Sequence, residues 1–128
     1  MKLAVSLVAI ACALAPAASA QGLRAVRPLD GYVCMNLAVP DAQLRDPHWP
    51  GVPILTAPSP DAPRGALAAA TVIAKAPPHL ANGYAEVLRL NGQPGWIEAD
   101  KIKPYSSASN PYARCTPSIM SNGRPGFG

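Results

Sequence analysis

The sequence predicts an all-β fold, and three observations carry that prediction. Residues 84–90 (YAEVLRL) mix aromatic, branched and aliphatic side chains between two Asn-Gly pairs, Asn82-Gly83 and Asn91-Gly92, the pattern of a strand held between turns. Residues 31–39 alternate with a period of two, which puts Val33, Met35, Leu37 and Val39 on one apolar face and Tyr32, Cys34, Asn36 and Ala38 on the other. The one run that competes as a helix, residues 66–76 (ALAAATVIAKA), stops at Pro77-Pro78 among neighbours that read as strands spaced by turns.

The chain opens with the three-part design of a secretory signal: Met1-Lys2, an apolar run over residues 3–14, then Pro16 and Ala18-Ser19-Ala20. The expected processing assigns residues 1–20 to the signal, with cleavage after Ala20. A lipoprotein signal ending at Cys12 competes, but residues 9–11 (AIA) make a poor lipobox. The apolar run falls short of the roughly 18 residues that cross a bilayer, so no integral membrane insertion is expected. Export to the periplasm or beyond the cell is therefore expected, leaving a mature chain of about 108 residues, one small domain with extensions.

Three cysteines are present, and Cys12 leaves with the signal. Cys34 and Cys115 remain, and in an exported chain two cysteines without C-x-x-C spacing form a structural disulfide. Such a bridge closes a loop of about 81 residues and contributes at most about 4–5 kcal/mol on the chain-entropy model. The net charge of +4 at pH 7 includes Lys2, and the other cations are scattered. With no Lys or Arg run interleaved with aromatics, nucleic-acid binding is not expected, and weak attraction to anionic envelope polymers is all the charge supports.

Residues 21–51 form an N-terminal arm and strand: an extended basic start with Arg24 and Arg27, then the strand over 31–39. From Pro40 to Pro53 the proline density predicts loop with no regular element. Residues 52–57 (VPILTA) read as a strand with Pro53 tolerated at an edge, followed by a turn over 58–65. Within 66–76 alanine favours helix and Thr71-Val72-Ile73 favours strand, and context selects a strand over 71–75. Asn91-Gly92 suits a tight hairpin that returns through Gly95-Trp96-Ile97. Residues 98–102 fit one 3-10 turn, and 103–105 a closing strand. Residues 106–128 read as a polar linker and an aperiodic tail, pinned at Cys115 and mobile beyond Met120.

In order and spacing, residues 52–105 resemble a bacterial SH3 domain. NGYAEV is similar to that family's Gly-Trp-x-x-Val strand, with Tyr84 where Trp is usual, and NGQPGWI to its hairpin and closing Gly-Trp-Val. The resemblance implies a small SH3-like barrel of about five strands, here with disulfide-linked N- and C-terminal extensions. It further implies a peptide groove floored by aromatics, with Tyr84 and Tyr105 as candidates, Trp49 as a wall, and Trp96 divided between recognition and packing. On Tyr84's strand, Ala85 and Val87 suit the interior, while Leu88 and Leu90 fall on the Tyr84 side and need cover from the Cys34 strand and the Cys115 tail.

For catalysis the inventory is poor. His48 and His79 sit in separate proline-rich loops without Cys, His or carboxylate at ligand spacing, so no metal or other cofactor is expected. No serine lies in a Gly-x-Ser-x-Gly elbow and no Gly-rich phosphate loop occurs. Residues 50–53 and 60–63 match P-x-x-P, but both fall where the fold needs connections. The expectation is a non-enzymatic binding module of the cell envelope that holds a peptide, a cell-wall component such as a peptidoglycan-derived ligand, or an envelope protein. The alternative is a structural or inhibitory protein whose C-terminal tail makes the contact.

Overall fold

A computed structural model describes residues 22–128, so the expected signal lies outside the described residues. The described residues form eleven strands, β1 (Ala25–Pro28), β2 (Tyr32–Leu37), β3 (Val52–Leu55), β4 (Arg64–Ala68), β5 (Thr71–Lys75), β6 (Leu80–Ala81), β7 (Tyr84–Leu88), β8 (Pro94–Glu98), β9 (Ile102–Pro104), β10 (Pro117–Met120) and β11 (Pro125–Phe127). The fold is all-β, as expected. A main sheet runs β4-β3-β8-β7-β5-β2-β9 with β6 beside β7, and a separate sheet runs β1-β10-β11, with every pairing antiparallel. The main sheet does not close into a barrel: β4 and β9 are its two ends.

The strand over 31–39 forms as β2, and its apolar face is mostly as read. Met35, Leu37 and Val39 join the core, whereas Val33 is 40% exposed. The arm-and-strand segment is no flank, because β2 lies inside the main sheet, between β5 and β9. The alanine-rich run is not helical. β5 occupies the expected residues 71–75, paired on both sides, and β4 adds a strand the sequence reading missed. Pro53 is not on an edge strand, but β3 meets β8 only at Leu55, so the missing N–H falls where no ladder bond is needed.

The two Asn-Gly pairs behave differently. Asn82 and Gly83 both take positive φ, 52° and 81°, and make the two-residue turn between β6 and β7. At the second pair only Gly92 does, within a longer loop over 89–93 in which the Gly92 N–H donates to the Arg89 carbonyl at 2.9 Å. The 3-10 turn forms over Ala99–Lys101 and leads into β9. One helical turn, α1 (Asp41–Arg45), interrupts the expected loop, since the stretch between Pro40 and Pro47 is free of proline.

The tail is the largest correction. Far from being mobile beyond Met120, residues 117–127 form the β10–β11 hairpin through Asn122-Gly123, with Gly123 at φ 79°, and β10 pairs with the N-terminal β1. The predicted disulfide Cys34–Cys115 is present and ties this small sheet to β2. Leu37, Val52, Ile54, Val72, Val87 and Ile97 make the main core, with Ile97 fully buried. Cys34 and its cross-strand partner Ile73 are buried outside that cluster, on the disulfide side of the sheet.

Candidate functional site: two grooves and an ion-pair cluster

The four candidate aromatics separate into three places. Trp49 and Tyr84, distant in sequence, line one groove of about 390 Å³ together with Val39, Leu55 and the chain around Pro60. Tyr105 lines a second, larger groove. Trp96 belongs to neither and lies edge-on to His79 at 5.2 Å between ring centroids.

In the first groove Trp49 is delivered by α1 and the turn after it, where the Trp49 N–H donates to the Asp46 carbonyl at 3.1 Å. Its ring is half-buried and packs against the main core. Tyr84 opens β7 and is only 8% exposed. The 82–83 turn is fastened to the 56–63 loop by Asn82 Nδ2 donating to the Pro58 carbonyl at 3.1 Å. Arg64, Glu98 and Lys101 add charge of both signs to the lining. Apolar rings and aliphatic carbon beside a few separated charges suit an extended polar chain with intermittent apolar groups.

The second groove, about 750 Å³, runs between β4 and the 89–91 loop, and Phe127 of the terminal sheet and Cys115, just before that sheet's β10, also line it. Leu88 and Leu90 both line it. The cover expected over these leucines is therefore partial: Leu88 is half-buried, but Leu90 is 56% exposed. Tyr105 stands here, not with Tyr84.

At the third place His79 meets a partner that its sequence spacing does not show. His79 has no carboxylate near it in sequence, yet its Nδ1 lies 3.0 Å from Glu86 Oε1, and Lys75 Nζ lies 3.3 Å from Glu86 Oε2. An ionised carboxylate only accepts, so Nδ1 carries the proton. Burial alone would raise the Glu86 pKa, but hydrogen bonds from His79 and Lys75 and their positive charge outweigh it and hold the carboxyl below its ordinary value. The pairing follows from strand register, since Ala74 faces Val87 across β5 and β7. Lys75 and Glu86 are eleven residues apart, so only the strand pairing brings them together. His48 is exposed on a turn, its N–H donating to Asp46 Oδ1 at 2.8 Å. Among the described residues no group of three or more His, Cys, Asp or Glu is arranged to hold a metal.

No family model, no curated protein and no solved structure matches the chain.

Proposed function

We propose that this protein is an exported, non-enzymatic binding module of the cell envelope. Its Trp49–Tyr84 groove takes an extended ligand, a peptide or a peptidoglycan-derived chain. The observation that carries the reading is the convergence of two aromatics, distant in sequence, on one groove with Arg64, Glu98 and Lys101 at hand. Rings supply apolar area at low entropic cost, and the charges orient a polar chain across them.

On the same reading the main sheet is an SH3-like module, which rests on analogy of fold. Two features support it: a 3-10 turn linking β8 to β9, and the return of β9 onto β2. β2, not β3, then supplies the opening strand. Export is supported by the disulfide, which persists in oxidising compartments. No helix among the described residues is long and apolar enough to cross a membrane.

The test is co-sedimentation of the oxidised protein with purified peptidoglycan sacculi, alongside capture from an envelope extract. Trp49→Ala is expected to lower retention by about tenfold or more, the loss of one aromatic anchor of about 1.4–2 kcal/mol. Tyr84 is too buried for truncation, and Tyr84→Phe keeps its packing. Retention that survives Trp49→Ala unchanged in both assays removes the groove assignment.

A further inference from the structure

We propose that the free edge of β4 and the larger groove beside it form a second binding site, which accepts an extended apolar peptide through strand addition and holds its C-terminal carboxylate on Arg89. Among the described residues β4 is one end of the main sheet and pairs only with β3. The direction of its backbone groups follows from close approaches. A Cβ on Gly51 would lie 2.5 Å from the Ala68 carbonyl oxygen, so that oxygen points toward β3. Strand alternation then turns the N–H and C=O of Leu67 the other way, outward. Its partner across the ladder is Pro53, which has no N–H to give. Among the described residues no backbone bond outside the ladders uses Leu67.

The outward edge faces the 750 Å³ groove, where Leu67, Leu90 and Phe127 are exposed and Leu88 and Tyr105 are half-buried. Among the described residues Arg89 is the only charged side chain lining it. Its Nε donates to the Pro94 carbonyl at 3.1 Å and Nη1 reaches the Gly65 carbonyl at 3.5 Å, which holds the guanidinium at the Gly65 end of β4. A cation at one end of an apolar slot calls for an apolar ligand with one terminal anion. A peptide running antiparallel to β4 places its C-terminus at that end. An acyl chain with a carboxylate would satisfy Arg89 but leave the Leu67 backbone groups without partners, so the strand is the better occupant. This site is separate from the Trp49–Tyr84 groove and does not depend on it.

The test is fluorescence polarisation of a labelled hexapeptide, Thr-Val-Thr-Val-Thr-Val, as free acid and as C-terminal amide, with the oxidised protein. The acid is expected to bind at least tenfold tighter than the amide. Arg89→Gln removes that preference and Arg89→Lys retains part of it, an outcome that a merely structural arginine would not give. Leu67→Pro, tolerated by a ladder that does not use the Leu67 N–H, abolishes binding of both peptides. Equal affinity for acid and amide, or no binding by either at millimolar protein, overturns the proposal on the unaltered protein, whatever the variants do. Dodecanoate binding that Leu67→Pro leaves intact, with the peptide not bound, overturns it in favour of a lipid site.

Discussion

Glu86 couples the stability of the fold to pH. Its folded pKa is depressed by His79 and Lys75, so the stabilisation is present above the unfolded value, about 4.3, and is lost as pH falls through the folded one. The oxidised protein is therefore expected to lose stability below about pH 4.3 more steeply than Glu86→Gln does, read from urea midpoints across pH 3–6. Parallel profiles would contradict this. At Gly51, φ is 93° and an added Cβ would sit 2.5 Å from a backbone oxygen. Gly51→Ala is expected to cost about 1–3 kcal/mol or more in equilibrium unfolding. Gly51 also lines the Trp49–Tyr84 groove, so the same variant should weaken ligand retention. Neither residue was legible in the sequence, because both depend on which strand lies alongside: Glu86 on β5, Gly51 on β4.

At the scale of elements, what could be read was what is local. Alternation in 31–39, the strand over 71–75, the Asn82-Gly83 turn and the single 3-10 turn all express propensities set within a few residues. Pairing between distant segments was not legible. β10 and β11 carry two prolines and few branched residues, so they score poorly alone, and only β1 across the chain makes β10 a central strand. Asn122-Gly123 was the available signal, the same dipeptide that marks the β6–β7 turn. Ending the chain at Met120 removes β11 and Phe127, and with them one wall of the larger groove. That truncation is expected to lower the melting temperature by about 4–8 °C for each kcal/mol lost, while sacculus binding through Trp49 persists. If binding vanishes in a truncated protein that still melts cooperatively, the tail makes the contact, as the alternative reading holds. Of the aromatics chosen from sequence, Trp49 and Tyr84 share a groove, Tyr105 lines the other and Trp96 packs with His79. Composition identifies such residues, but only the chain path groups them.

For the whole molecule, two sheets are joined covalently by Cys34–Cys115. The main sheet has its own core around Ile97, and the terminal sheet adds Ser118 and Met120 to the buried set. Closing an 81-residue separation contributes up to about 4–5 kcal/mol in the chain-entropy model, a large part of the 5–15 kcal/mol typical of a domain. Reduction is expected to lower the urea midpoint substantially, and an unchanged midpoint would mean the sheets hold without the bridge. The proposed binding function needs only that Trp49 and Tyr84 stay together, and the chain has two tryptophans in different surroundings. Their indole N–H signals in the 15N-labelled, oxidised protein are thus separate reporters. On titration with a soluble disaccharide-tetrapeptide released from sacculi, the Trp49 signal is expected to move in a saturable manner while Trp96 stays still. Movement confined to Trp96, or none at either at millimolar ligand, would contradict the account.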